Sequence, residues 1–254
     1  SIPALITLGG VLSTTAVGAG NPDAWFLLPA ALLACGFVGF LSAAGIVWLR
    51  VPPFIMTMAT SIIVASAVLG YTRGTPRGSS PEILTELMRT SVFGLRAVIW
   101  FMVLFVVVAW LVQARSAFGR HLHAAGANPE AARIAGVPVQ RTILLTYVIS
   151  ALCGGFAGMM LVGYANGATL RMGDSYLLPS IAAVVIGGSS ILGGRGSFIG
   201  TVGGAILLTT LSMVISALGI GHGWRTVIEG GIIVGALILL REELFNRLRR
   251  GRGT

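Results

Sequence analysis

Ala124-Ala125-Gly126-Ala127-Asn128-Pro129-Glu130-Ala131-Ala132-Arg133-Ile134-Ala135-Gly136-Val137-Pro138-Val139-Gln140-Arg141 is a polar island between long apolar runs. Asn128 has the chemistry of an N-cap, Pro129 fits a first helical turn, and Glu130 then meets the positive helix end. Gly136 and Pro138 end that helix after about two turns. A short charged helix between two membrane spans is placed to touch something soluble. An ordered loop accounts for the same residues, because helix caps are common, and spacing alone leaves both readings open.

The rest of the chain says what surrounds the island. Of 254 residues, 55% are hydrophobic and only 10% are charged, against about 25% charged in soluble domains. The 36 glycines fit packed transmembrane helices, and no soluble core of this size needs so many long apolar runs. The net charge is +9, there is no Lys, and the arginines sit at the ends of apolar runs. That placement excludes a nucleic-acid interface, which would gather them on one face. Cys35 and Cys153 lie inside apolar runs as small packing residues, and no zinc or catalytic-cysteine spacing exists. There is no Gly-x-x-x-x-Gly-Lys-Ser/Thr, so any ATP used is bound by another subunit. No cofactor, metal site or catalytic residue of the chain's own is expected.

Taken in order, the apolar runs are Ile2–Ala19, Ala24–Leu49, Phe54–Tyr71, Ala97–Val112, Thr142–Tyr164, Tyr176–Leu192, Ser197–Leu218 and Thr226–Leu240. A membrane helix needs about 20 such residues. The expectation is an all-α, polytopic transmembrane helix bundle of about eight spans, one domain over residues 1–254. Gly20-Asn21-Pro22-Asp23 makes the first turn. Arg115, Arg120, Arg133 and Arg141 mark 113–141 as a cytoplasmic loop; Arg241, Arg247, Arg249, Arg250 and Arg252 mark 241–254 as a cytoplasmic tail. Four spans lie between these clusters, so they fall on one side. Thr72–Arg96 then lies outside despite Arg73, Arg77, Arg89 and Arg96. Within it, 81–88 has helical apolar spacing and reads as a short surface helix or a solvated loop.

Residues 181–196 hold the glycine clusters Gly187-Gly188, Gly193-Gly194 and Gly196. Broken backbone at membrane depth is tolerated where it is buried in protein or lines water, and close helix packing explains the same glycines. Gly196, Gly200 and Gly204 recur every four residues and predict a close-contact face on the seventh span, as do Gly154 and Gly158 on the fifth. Hydroxyls at membrane depth suit an uncharged substrate that must be passed on. Thr57, Thr60, Ser61, Ser189 and Ser190 are therefore the translocation-path candidates, against the alternative that each bonds its own helix backbone. Asn166, Arg171 and Asp174 read as an outer loop, solvated or facing a partner. Arg225 and Glu229 can pair on one helix face. His121 and His123 lack a third ligand nearby.

Glu130-Ala131-Ala132 followed by Gly136 resembles the EAA loop of ABC-transporter permeases, whose helix couples to a cytoplasmic ATPase. The usual Ile-x-Leu-Pro tail is absent, which fits the sugar branch better than the maltose type. Residues 181–204 resemble the C-terminal signature of ribose-type monosaccharide permeases, with Ala-Ala-Val-Val-Ile-Gly-Gly and Leu-Gly-Gly-x-Gly segments. Val51-Pro52-Pro53-Phe54-Ile55-Met56-Thr57 and Gly119-Arg120 are similar to the same family. The resemblance implies a monosaccharide-importer subunit, not an enzyme, in a bacterial inner membrane. Its implied partners are cytoplasmic ABC ATPase subunits, a second permease (homo- or heterodimeric), a periplasmic sugar-binding protein and the lipid bilayer, with no nucleic acid. Glu130, Ala131, Ala132 and Gly136 become the coupling residues. The chain opens in an apolar run without Met, and the resemblance implies that Ser1 ends an Asp-Leu-Ser segment with one or two helices upstream. A branched-chain amino-acid permease, an ion-coupled secondary transporter and a passive channel are the rivals.

Overall fold

The computed structural model describes residues 1–17, 27–76, 78–190, 193–194, 196–219, 223–224, 227–228, 230–231 and 235. The turn at Gly20–Asp23, Arg77, Arg195, the Arg225–Glu229 pair and the tail 241–254 lie outside them. The described residues form ten α-helices: α1 (Ile2–Val17), α2 (Leu27–Val47), α3 (Pro53–Thr72), α4 (Glu82–Arg89), α5 (Ala97–Arg115), α6 (Ala117–Ala127), α7 (Pro129–Ile134), α8 (Val139–Ala165), α9 (Leu177–Ile186) and α10 (Phe198–Ala217). Five of them, α2, α3, α5, α8 and α10, are long and apolar enough to cross a membrane. The chain is a helical, multi-pass membrane protein. Two of the apolar runs fall short: α1 has 16 residues, about 24 Å, and α9 has ten, about 15 Å, half of a bilayer core. Two-residue strands, β1 (Ser91–Val92) and β2 (Leu95–Arg96), add a small antiparallel hairpin. Phe93 and Gly94 turn it with positive φ at both positions, as the type I′ two-residue hairpin turn requires.

The described residues group into two compact units, 1–109 with 133–175, and 110–132 with 176 onward. In the first, α8 is the axis. Its 27 residues reach about 40 Å, with α1 and α2 packed along it. The α1–α8 seam is backbone on backbone: a Cβ at Gly158 would fall on the Ile6 carbonyl. Gly155 meets Cys35 of α2, whose sulfur would lie 2.6 Å from an added Cβ. Small residues therefore set the approach of these helices, as expected where lipid offers no hydrophobic drive to associate. Val64 and Val68 of α3 close a core with Ala4 and Val11 of α1. Helix α4 is the amphipathic surface helix that the spacing at 81–88 allows. Its Leu84 is buried against Gly163, near the C-terminal end of α8. Glu82 in its first turn and Arg89 in its last oppose the helix dipole favourably.

In the second unit, α9 and α10 form a tight helical pair. A Cβ at Gly200 would fall on the Gly187 carbonyl, and one at Gly204 on the Ala183 carbonyl. Gly196 lies two residues before α10 and approaches the Ser189 side chain instead. The close-contact face on α10 is thus Gly200 and Gly204, without Gly196.

Candidate functional site

The island folds as two helices, not one. Helix α5 ends at Arg115, and Ser116 restarts the chain by accepting the Gly119 amide at 3.2 Å. Gly119 is buried there, and a Cβ on it would fall on the Gln113 carbonyl, so only glycine fits. Helix α6 then runs to Ala127. Asn128 is extended, and its Oδ1 accepts the amides of Glu130 at 3.0 Å and Ala131 at 3.1 Å. Two of the orphan donors at the start of α7 are satisfied by one side chain. Gly136, at φ +81, closes the helix as its amide donates to the Arg133 carbonyl at 3.0 Å. Nothing lies near its missing Cβ, so the glycine serves the backbone angle and not packing.

Helix α7 presents Glu130, Ala131, Arg133 and Ile134 outward, whereas Ala132 is only 5% exposed. Ile134 is 86% exposed, an apolar tip ringed by charge, on a six-residue helix too short to persist without its cap. Asn128→Ala is expected to destabilise this helix by about 1 kcal/mol. Hydrogen exchange of the Glu130 and Ala131 amides should rise several-fold while the α8 amides stay protected.

The glycine stretch bears on the same place. Helix α9 ends in paired bonds from Gly188 to Val185 and from Ser189 to Val184, with Gly188 at φ +80, a Schellman closure. Gly193 and Gly194 follow at φ +88 and +78. A Cβ on Gly126 would lie 2.9 Å from the Gly194 nitrogen, and one on Gly194 would lie 2.8 Å from the Ala127 Cα. The glycine turn thus rests on the last turn of α6, one residue from the Asn128 cap. Ser189 and Ser190 sit in the turn after α9. Near it, a cleft of about 190 Å³ is lined by Trp110, Gln113, His123 and Ser197. His123 Nδ1 is 2.8 Å from the Gly119 carbonyl. Among the described residues no group of His, Cys, Asp and Glu is placed to hold a metal.

The α3 hydroxyls divide. Thr57 donates to the Phe54 carbonyl at 3.1 Å. Thr60, 8% exposed, donates to the Met56 carbonyl and accepts from Ser42 of α2 at 3.0 Å, so it ties two helices together. Ser61 lines a cleft of about 390 Å³ with Thr7, Ser66, Arg171 and Asp174. The sequence pattern placed Arg171 and Asp174 in an outer loop, solvated or facing a partner, and their side chains are 84% and 49% exposed. The structure pairs them, Arg171 Nε to Asp174 Oδ2 at 2.7 Å, on the rim of this cleft.

The family described as branched-chain amino acid transport system / permease component matches residues 1–237. The ribose import permease protein of Bacillus subtilis is 34% identical over 196 residues, 76% of this chain and 61% of the relative. The autoinducer 2 import system permease protein of Photorhabdus luminescens is 30% identical over 217 residues, 83% of this chain and 65% of the relative. A probable ABC transporter permease protein of Sinorhizobium fredii is 31% identical over 256 residues, 99% of this chain and 74% of the relative. The chain spans a little under two thirds of the first two. No solved structure matches it.

Proposed function

The chain belongs to the family of transport-system permease components, and we propose that it is the membrane subunit of an ABC importer for a monosaccharide in a bacterial inner membrane. The observation that carries this reading is α7: a side-chain-capped helix between membrane helices, with Glu130 and Ile134 facing outward. In it, Glu130, Ala131, Ala132 and Gly136 couple the bundle to a separate cytoplasmic ATPase. Movement of the ATPase groove levers the bundle between outward and inward access. The Gly193-Gly194 turn, resting on α6, carries that movement toward α9 and α10. ATP is bound by the partner. A second permease subunit and a periplasmic sugar-binding protein complete the assembly, and the chain is not itself an enzyme.

The reading treats 1–254 as one permease domain of about eight passes. Five come from the long helices; α1, the run Thr226–Leu240, mostly outside the described residues, and α9, which by itself reaches only half-way through the core, stand for the other three. Loop 113–141 and tail 241–254 face the cytoplasm. Thr57, Ser61, Ser189 and Ser190 belong to the path or its margin, and Thr60 holds α3 against α2.

The family description favours one second reading, a branched-chain amino-acid substrate. Proteoliposomes containing the whole assembly separate the two. Uptake of D-ribose or D-galactose is expected to require ATP on the cytoplasmic side and the binding protein outside, with L-leucine untransported. Leucine uptake would select the second reading. Uptake without ATP would sink both.

A further inference from the structure

Residues 166–175 fold back into the bundle from the end of α8. The Gly173 amide donates to Thr7 Oγ1 of α1 at 3.2 Å in a buried contact, and a Cβ on Gly173 would fall on the Pro3 carbonyl. That stretch of α1 packs against Gly154 and Gly158 of α8. These glycines lie seven to eleven residues before Ala165, where α8 ends. At 1.5 Å per residue the segment therefore reaches roughly 10–16 Å inward from that end. Its backbone is a run of turns that enters a 3₁₀ turn at Asp174–Tyr176, and Arg171 holds φ +63, a conformation rare outside Gly and Asn.

Irregular backbone at membrane depth lines water or is buried in protein, and ionisable groups there face a cavity or the bundle interior. Yet the side chains of Arg171 and Asp174 are 84% and 49% exposed in this chain. They open onto the 390 Å³ cleft, whose remaining wall is mostly apolar, with Ile62, Leu69 and Leu170; the volume is within the size range of small-molecule sites, which are mostly apolar with a few placed polar groups. Thr57, Thr60 and Thr72 of α3 give their hydroxyls to carbonyls one turn back. Ser61 and Ser66, on the cleft wall, make no such bond among the described residues.

We propose that the Arg171–Asp174 pair, with the Ser61 and Ser66 hydroxyls, forms a binding station in the translocation path for an uncharged, polyhydroxylated molecule. The proposal rests on the importer reading above and gives it a location. The two charges cancel each other through Nε and Oδ2, which leaves the outer guanidinium N–H groups and the second carboxylate oxygen for vicinal hydroxyls. A zwitterion would have to break the pair to use it. Serine hydroxyls supply the adaptable partners on the opposite wall.

The test uses cells producing the full transport system. Ser61→Cys and Ser66→Cys are treated with a membrane-impermeant thiol reagent from outside, with wild-type Cys35 and Cys153 as background. Both positions should react about tenfold faster than Leu104→Cys on the outer surface of α5, because water reaches a path and not a lipid face. Equal rates would overturn the proposal. In the same cells, Arg171→Gln and Asp174→Asn should lower uptake of labelled D-ribose or D-galactose about tenfold, the loss expected when a charged hydrogen-bonding group is removed. Uptake within about twofold of wild type would overturn it. External D-ribose or D-galactose should slow labelling of Ser66→Cys; protection by L-leucine alone would overturn the ligand class. Co-purification of an ATPase with the wild-type permease is scored separately. Its absence would sink the importer reading, while the labelling rates still decide whether the cleft is a water path.

Discussion

Gly200→Val is expected to prevent the α9–α10 pair from closing. At Gly200 any Cβ collides with the Gly187 carbonyl, and backbone has no rotamer by which to yield. Valine adds two further methyl groups in the same place. Overpacking of this kind costs about 3 kcal/mol, the upper end of the usual range. Because α9 has only ten residues, it holds few other contacts that could compensate. Gly203 is the control on the same helix, with nothing within 4 Å of its missing Cβ. Thermal unfolding in detergent should show a clear drop in Tm for Gly200→Val and little change for Gly203→Val. Equal behaviour of the two variants would mean that the glycine seam does not hold this pair together.

Glu130→Arg and Gly136→Val are expected to cut ATP-driven uptake by about tenfold or more while leaving the bundle folded. Each acts through α7 alone. Arg at position 130 places a positive charge on the positive helix end and reverses the charge offered to a partner. Valine at 136 must adopt φ +81, which costs an L-residue about 1–2 kcal/mol, so the helix end rearranges. Neither residue is packed in the core: Glu130 and Gly136 are both exposed. A tenfold effect needs only about 1.4 kcal/mol of lost docking energy, well within what an interface anchor supplies. Uptake and Tm measured on the same preparations separate coupling from folding. A parallel fall in both would assign these residues a structural role instead.

The long runs were legible because twenty apolar residues in a row have one inexpensive solution in a bilayer. The cap of α7 was legible too, since Asn128-Pro129-Glu130 and Gly136 are local signals whose geometry needs no distant partner. Where local signals compete, the pattern failed. Residues 113–127 read as polar loop, although Ser116 caps a second helix there, because Gly119, Arg120, His121 and His123 break the apolar pattern. The sixth run was drawn to Leu192 with its glycine clusters open to two readings, broken backbone or close packing; α9 stops at Ile186, where Gly188 lets the chain turn and Gly187 also meets Gly200 of α10. Phe93-Gly94 gave no hairpin signal, since phenylalanine rarely accepts positive φ. The fold of the 171–174 segment back onto α1 was beyond local reading. It depends on Gly173 meeting Thr7, a contact across 166 positions of sequence. For the same reason Thr60 read as a path hydroxyl until its bond to Ser42 placed it between two helices.

Recovery of the tagged permease from its native membrane, followed by mass spectrometry of what comes with it, decides whether α7 docks an ATPase. An ABC ATPase subunit in about equal amount, lost in Glu130→Arg and Gly136→Val, is the predicted result. A permease recovered alone, and still transporting in liposomes without ATP, would contradict the account.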